Sequence, residues 1–117
     1  MTRTPHPVAL AQGMFYVATG LWPIVHLRSF EKVTGPKRDK WLVRTLGGLI
    51  TTVGVTLIAG AFERNRSRSL EVLGVGSALA LGGADVLFSL RGTISKVYLG
   101  DAAAEAALAA TWALTKN

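Results

Sequence analysis

Apolar residues fill four long stretches of this chain, and the charged residues are gathered between them. The stretches cover about residues 8–27, 41–62, 70–90 and 94–114. Each is near the ~20 residues that a helix needs to cross the ~30 Å hydrocarbon core of a bilayer. Because no water is available there, each segment has to satisfy its backbone hydrogen bonds internally, which favours helices over strands. The pattern predicts an all-α integral membrane four-helix bundle.

Residues that start and stop helices lie near the ends of these segments. Ser67 or Ser69 can cap the third predicted helix, because short polar side chains accept hydrogen bonds from the first free backbone N–H groups. Gly92 can close that helix, and Thr93 or Ser95 can start the fourth. The first segment is longer than the apolar part of a typical signal peptide, so we expect it to stay in the mature protein. We expect one transmembrane domain.

Composition favours a membrane protein over a soluble one. Hydrophobic residues make up 50% of the 117 residues and charged residues 17%. Soluble helices need a polar stripe that faces water, and such stripes are largely missing. A soluble or interfacial helical bundle is the alternative left open. The chain contains no Cys, so it offers no disulfide, thiolate or Cys-ligated metal.

Four spans place both termini on one side of the membrane, and positive charges should mark the cytoplasmic side. The side of the first and third loops carries Arg28, Lys32, Lys37, Arg38, Lys40, Arg44, Arg91 and Lys96. The opposite side carries Arg3, Arg64, Arg66, Arg68 and Lys116. This excess predicts cytoplasmic first and third loops and external termini in a cell membrane. Its small size leaves mixed insertion open.

The formal net charge of +6 could suggest nucleic acid as a partner. Basic residues beside spans are more simply explained by membrane topology and by contact with anionic lipid headgroups. We therefore expect membrane lipids as partners and no nucleic-acid binding.

Polar residues inside the predicted spans are the candidates for function, because a charge at membrane depth costs at least ~2.5 kcal/mol on insertion scales. Helical spacing gives the fourth span one face that consists of Tyr98, Asp101, Glu105, Leu108 and Trp112. In the first span one face consists of Gln12, Tyr16, Thr19, Pro23 and His26. We expect both faces to point into the bundle together with Asp85 of the third span. Small residues near Asp85, such as Gly82, would allow close helix approach.

Depth brings several of these side chains to one leaflet. The residues near span ends on the side of the first and third loops are His26, Arg44, Asp85, Tyr98 and Asp101. Glu105 lies about one turn deeper. We predict a funnel that opens towards these loops, with acidic groups at its base and with His26 and Arg44 near its mouth. Asp101 and Glu105 lie one turn apart, roughly 6 Å, so at least one of them should be protonated or paired with a cation.

Simpler explanations remain open for most of these residues. Arg44 can extend to the headgroups, and Asp85 can pair with Arg91 near the interface. His26 has no second metal ligand at helical spacing, and the aromatic residues suit packing or the interfacial belts of a membrane protein. We find no phosphate loop, no Ser-His-Asp set and no zinc-protease motif. We therefore do not expect enzymatic activity, and the sequence identifies no cofactor.

Three short strings carry a resemblance to known proteins. They are Phe30-Glu31-Lys32-Val33-Thr34-Gly35-Pro36-Lys37, Trp41-Leu42-Val43-Arg44-Thr45-Leu46-Gly47-Gly48 and Val97-Tyr98-Leu99-Gly100-Asp101. The strings resemble small four-span bacterial inner-membrane proteins of unassigned role. The Arg-x-Leu-Gly-Gly opening of the second span is similar to DoxX-like membrane proteins, some of which accompany quinone-linked oxidoreductases. The resemblance implies a compact four-helix bundle and a hydrophobic partner molecule, and it supplies no catalytic motif.

Two functions remain. The first is a binding or accessory membrane protein whose polar-lined pocket holds a lipid, quinone or other hydrophobic ligand, within a homo-oligomer or a larger membrane complex. The candidate residues for ligand binding or proton relay are Glu105, Asp101, Asp85, His26, Tyr98, Tyr16, Gln12 and Arg44.

The second function is a small proton- or cation-coupled transporter, similar in length to the dimeric small multidrug-resistance transporters. Those proteins carry their key acidic residue in the first span, where this chain has none. Transport also needs access from both sides, and apolar Leu108, Ala109 and Trp112 follow Glu105 towards the terminal side. This pattern favours a pocket that is closed on that side.

Overall fold

The backbone is helical through most of the chain that the structure describes. The computed structural model describes residues 6–63 and 68–114. Its helices are α1 (Pro7–Val25), α2 (Leu27–Thr34), α3 (Lys40–Ala61), α4 (Arg68–Leu90) and α5 (Tyr98–Leu114). The predicted all-α class is confirmed, with no strand in either described range. The predicted cap Ser67 and the charged residues Arg3, Arg64, Arg66 and Lys116 lie outside the described residues.

Three of the helices, α1, α3 and α4, are long and apolar enough to cross a membrane. α5 takes the place of the fourth predicted span and has 17 residues. Its length is roughly 25 Å, against a hydrocarbon core of ~30 Å. The sequence predicts a start near residue 94, but α5 begins at Tyr98. The reason is local: the preceding residues form a turn in which the Ser95 hydroxyl accepts a hydrogen bond from the Val97 N–H at 3.2 Å.

The ends of α4 and α1 follow from single residues. Gly92 adopts a φ of 78° just after α4, in the left-handed region that its predicted role in closing the helix requires. α1 ends at Val25 because His26 leaves the helical conformation, with φ −147° and ψ 78°. The His26 ring then caps α2 by accepting a hydrogen bond from the Ser29 N–H at 3.2 Å.

The short helix α2 occupies the first predicted loop and was not expected from the sequence. It has 8 residues, fewer than the window of about 11–18 residues over which apolar periodicity identifies a helix. The first predicted span, 8–27, therefore merges the end of α1 with the start of α2.

Glycines let α1 and α3 pack backbone against backbone in antiparallel directions. A Cβ added to Gly13 would lie 2.7 Å from the carbonyl oxygen of Gly54. One added to Gly20 would lie 2.6 Å from the carbonyl oxygen of Gly47. Real Cβ atoms essentially never approach so closely, so any larger residue would force the helices apart. These two contacts fix how α1 and α3 are aligned along their length.

Small residues also bring α5 against α4. A Cβ on Gly74 would lie 2.5 Å from the Trp112 ring, and one on Gly82 would lie 3.1 Å from Cβ of Glu105. The order of these contacts shows that α4 and α5 run antiparallel. The fold is therefore built from two close helix pairs, α1 with α3 and α4 with α5.

The two pairs meet in a hydrophobic core at one end of the molecule, which we call the core end. Val8, Leu57, Leu70 and Trp112 are buried there. Leu70 of α4 also packs over Gly60 of α3, where an added Cβ would lie 2.5 Å from it. This packing places the start of α4 against the end of α3.

Polar contacts join the pairs at the opposite end, the loop end, which consists of residues 26–44 and 91–98. The Lys37 ammonium lies 4.9 Å from the Tyr98 ring centroid and 5.6 Å from that of Phe30. The Glu31 carboxylate accepts hydrogen bonds from the Lys40 ammonium at 2.9 Å and from the Lys37 backbone N–H at 2.7 Å. The Lys40 ammonium, followed by the Lys37 N–H, lowers the pKa of Glu31. These contacts order the loop and, as surface ion pairs, stabilise the protein little.

The glycine contacts predict opposite effects at two adjacent positions. Gly47→Ala should lower the free energy of unfolding by about 1–3 kcal/mol, because the new methyl would lie 2.5 Å from the Gly20 carbonyl oxygen. Gly48→Ala should leave stability unchanged or raise it by up to ~1 kcal/mol, since nothing lies within 4 Å of that position and Ala is the better helix former. Thermal unfolding in a mild detergent measures both. Equal melting temperatures for the two variants would contradict the close α1–α3 contact.

Candidate functional site

Gln12 lies at the centre of a buried hydrogen-bond network that joins α1 to α4 and α5. Its side chain is 0% exposed. The amide nitrogen donates to the Gly74 carbonyl at 2.8 Å and to the Tyr16 hydroxyl at 3.0 Å. The amide oxygen accepts from the Trp112 indole N–H at 2.6 Å. Because an indole can only donate and a carbonyl can only accept, these partners fix which way the Gln12 amide points.

The network continues to Glu105, in the middle of α5. Tyr16 is 1% exposed and Glu105 2% exposed. The Tyr16 hydroxyl donates to Oε1 of Glu105 at 2.6 Å. Since the Tyr16 oxygen already accepts a hydrogen bond from the Gln12 amide, the hydroxyl directs its own proton to the carboxyl group. The donors of Trp112, Gln12 and Tyr16 therefore all point along one chain that ends at Glu105, and such chains strengthen each of their hydrogen bonds.

Two further carboxyl groups lie beside Glu105. Asp101 precedes it by one turn on α5, and Asp85 faces them from α4. Asp101 acts electrostatically on both Asp85 and Glu105, so the three carboxyl groups are neighbours. We call Asp85, Asp101 and Glu105 the carboxyl cluster. Asp85 and Glu105 are buried and Asp101, in the first turn of α5, is half-buried, so Asp101 is the most exposed of the three.

The carboxyl cluster has no cation of its own among the described residues. The side chains that act electrostatically on Asp85 and Glu105 are Tyr16 and the neighbouring carboxyls, with no Lys, Arg or His. The alternative ion pair between Asp85 and Arg91 does not form within the described chain. Carboxylates this close repel one another in a low dielectric. Protons or a bound cation therefore have to balance their charge.

One oxygen in the cluster receives no hydrogen bond. Asp85 Oδ2 is buried and has no hydrogen-bond partner within the described residues. The same residues contain no group of three or more His, Asp or Glu side chains that could hold a metal ion. The local chemistry therefore calls for a hydrogen-bond donor at Asp85.

Three of the predicted site residues lie at the loop end, outside the network. His26 is exposed and caps α2. Arg44 is exposed, and its Nε lies 3.5 Å from the Pro23 carbonyl oxygen, within the α1–α3 pair. The Tyr98 ring packs against Lys37. The acidic groups predicted at the base of the funnel come together between α4 and α5, and His26 and Arg44 lie at the loop end, where their described contacts are with Ser29 and Pro23.

Sequence reasoning missed two participants in the network and one ring that packs against it. The Gly74 carbonyl belongs to the backbone, so no side chain in the sequence indicates its role. Trp112 lies on the predicted polar face of α5, where it was interpreted as a packing or belt residue. His6 precedes the first predicted span; its ring lies 4.7 Å from the Trp112 ring and accepts a hydrogen bond from the Ala9 N–H at 3.3 Å. A polar residue directly before Pro7 is a helix-start signal that could have identified His6.

A separate open groove of about 380 Å³ runs along the first turns of α4. It is lined by Arg68, Glu71, Val72, Val75 and Gly76. The groove does not border the carboxyl cluster, and the unpartnered oxygen of Asp85 lies several turns away, near the other end of α4. The carboxyl cluster is therefore the better candidate site.

Comparison with known proteins identifies no relative. The chain has no significant match to a protein family, to a curated protein or to a solved structure. The resemblance to DoxX-like proteins therefore stays a prediction, and the site has to be interpreted from its own chemistry.

Removing one hydroxyl group tests the network. Tyr16→Phe keeps the ring but leaves Glu105 without its donor, so we expect the free energy of unfolding to fall by about 1–3 kcal/mol. Tyr98→Phe is the matched control, because its ring keeps the contact with Lys37, and it should change stability by less than ~0.5 kcal/mol. Thermal unfolding in detergent measures both variants. A Tyr16→Phe protein as stable as the control would show that this hydrogen bond does not stabilise the bundle.

Proposed function

We propose that α1, α3, α4 and α5 cross a lipid bilayer as a four-helix bundle, with α2 at its surface. Large apolar side chains point outwards: Leu49, Val72 and Leu79 are 61% to 63% exposed. Gln12 and Glu105 are buried inside. This distribution is the reverse of the one expected in water, and a bilayer would cover the apolar outer surface.

The loop end faces the cytoplasm in this arrangement, because it carries most of the basic residues that flank the helices. These are Arg28, Lys32, Lys37, Arg38, Lys40, Arg44, Arg91 and Lys96. α5, with 17 residues, is at the short limit for a span, and local thinning of the bilayer accommodates helices of this length at modest cost.

We propose further that the bundle holds a hydrophobic molecule by its polar end at the carboxyl cluster. The observation that carries this proposal is the buried Oδ2 of Asp85, which has no partner within the described chain. An unpaired buried polar atom costs about 1–3 kcal/mol. A ligand that supplies the missing donor recovers that free energy when it binds. Half-buried Asp101 leaves the cluster accessible from the loop end.

The core end favours a binding role over transport. Trp112 and Gln12 are buried, bonded to each other, and fill the space between Glu105 and that end. A transporter has to open to both sides, whereas a binding site can stay closed on one. We therefore propose a binding or accessory protein of the cell membrane without enzymatic activity. Its partners are membrane lipids, a lipid, quinol or other amphiphile as ligand, and a second copy or a larger membrane complex.

A small proton- or cation-coupled transporter is the second candidate. The observation in its favour is the continuity of polar side chains from Gln12 through Tyr16 and Glu105 to Asp101, which covers much of the bundle's length. Amide and indole groups do not exchange protons as carboxyls do. Transport would therefore require Gln12 and Trp112 to separate and open the core end.

Single cysteines test the four-span topology, because the chain contains no Cys that would add background. Arg38→Cys and Thr93→Cys, both exposed at the loop end, should react with an impermeant maleimide in inside-out vesicles. Glu63→Cys, exposed at the opposite end, should react in intact cells. Reaction of all three from one side would refute four spans. A complete reversal would refute only the orientation.

Ligand retention tests the binding function. Protein purified in a mild detergent should carry a lipophilic compound that mass spectrometry detects in an organic extract. Asp85→Asn should reduce its amount about tenfold or more, because the amide N–H groups of Asn would face the ligand's donor in place of a carboxyl oxygen that accepts it. Asp39→Asn is the matched control, since Asp39 is exposed at the start of α3 and its side chain caps nothing.

Equal amounts of the compound in Asp85→Asn and in the control would argue against the site.

Reconstituted vesicles test the alternative function, which is transport. Substrate-driven proton uptake that disappears in Glu105→Gln would instead support the transporter.

A further inference from the structure

The hydrogen-bonding capacity of the carboxyl cluster limits the kind of molecule it can hold. A carboxylate offers only acceptors, and a proton shared between Asp85 and Asp101 adds a single donor for their four oxygens. A ligand group that has only acceptors, such as a quinone carbonyl or an ester, would add no donor for Asp85 Oδ2, which has none within the described residues. The polar end of the ligand therefore has to be a donor.

Charge limits the ligand further. The groups that face Asp85 are Asp101 and Glu105 from α5, and Glu105 in turn faces Tyr16 from α1. Tyr16 supplies a donor to Glu105 but no positive charge. Two adjacent carboxylates in a low dielectric are stabilised by a nearby cation. No set of side chains for a metal ion is formed by the described residues, whereas a protonated amine combines a positive charge with N–H donors.

We propose that Asp85 and Asp101 together bind the protonated amino group of an amphiphile. This inference rests on the proposed ligand-holding function and names the chemical class of its ligand. Asp101 lies in the first turn of α5, close to the loop end. An amphiphile in the leaflet at the loop end could therefore place its amine at Asp101 without crossing the bilayer. A free lipophilic amine and the headgroup of an aminophospholipid share this chemistry.

Three probes with the same alkyl chain separate charge from hydrogen-bond donation. Dodecylamine has both, dodecyltrimethylammonium has charge without an N–H, and dodecanol has a donor without charge. Calorimetry with the full-length protein in a nonionic detergent at neutral pH measures their affinities. We expect dodecylamine to bind about tenfold or more tightly than either of the others, because only its head satisfies both requirements.

Aspartate-to-asparagine variants test where dodecylamine binds. Asp85→Asn and Asp101→Asn should each weaken dodecylamine binding about tenfold or more, and the exposed control Asp39→Asn should leave it unchanged. A hydrophobic carbodiimide gives a readout on the wild-type protein that does not depend on whether a variant folds. Dodecylamine should slow its reaction with Asp85, located by peptide mass spectrometry, and dodecanol should not.

The outcomes separate this inference from the proposed function. If dodecylamine and dodecanol bind equally tightly and Asp85→Asn abolishes the binding of both, the inference of an amine ligand is refuted. The proposed site for a hydrophobic ligand is supported by that outcome. If both Asn variants bind dodecylamine like wild type, the amine site is refuted. If no probe binds and none slows the carbodiimide, the cluster holds protons only and both proposals fail.

Lipid nanodiscs then identify the source of the amine. Phosphatidylethanolamine discs that suppress dodecylamine binding, next to phosphatidylcholine discs that do not, would support the site and assign the lipid headgroup as its occupant. Equal binding in the two kinds of disc, still lost in Asp85→Asn, would support the site with a free amine as its ligand.

Discussion

Polar side chains inside apolar helices have to find their partners within the protein, and the arrangement of α1, α4 and α5 follows from this requirement. An unpaired amide in hydrocarbon costs several kcal/mol. Gln12 avoids that cost only where α1, α4 and α5 meet, because its partners are Tyr16, Gly74 and Trp112. Moving any of the three helices by one turn would break at least one of these bonds. A single glutamine therefore selects how the α1–α3 pair docks on the α4–α5 pair.

Different forces act within the pairs and between them. Within the α1–α3 pair the backbones touch at Gly13 with Gly54 and at Gly20 with Gly47. Between the pairs the backbones approach less often, and the hydrogen bonds of Gln12 and Glu105 provide specific contacts. In a bilayer the hydrophobic effect does not drive helices together, so close van der Waals packing and interhelical hydrogen bonds have to do so. The glycines decide which helices pair, and the polar network decides how the pairs combine.

Features that depend on one helix could be predicted from the sequence, and features that depend on two could not. Spacing alone places Asp101, Glu105 and Trp112 on one face of α5, and the structure buries that face against α4. We also predicted that Asp85 belongs to the site, because its depth in the membrane matches that of Asp101. The Gly74 carbonyl could not be predicted, since any backbone carbonyl is available to a neighbouring side chain. The contacts of His26 and Arg44 could not be predicted, because equal depth does not specify which helix pair a side chain faces.

In the polar interior, hydrogen-bond donors and acceptors are paired towards the core end, whereas towards the loop end one buried acceptor has no donor within the described residues. Glu105 lies between these two regions. On the core side every donor of Gln12 has an acceptor and Oε1 of Glu105 has a donor in Tyr16. On the loop side Asp85 Oδ2 has no donor, and no cationic side chain of the described residues acts on Asp85. An ammonium group bound there, as proposed, would lower the repulsion that Glu105 experiences from Asp101 and so strengthen the bond of Glu105 to Tyr16. Because that bond joins α1 to α5, the proposed occupancy of the cluster would be linked to the docking of the two helix pairs, and by thermodynamic reciprocity the docking would affect the affinity of the cluster.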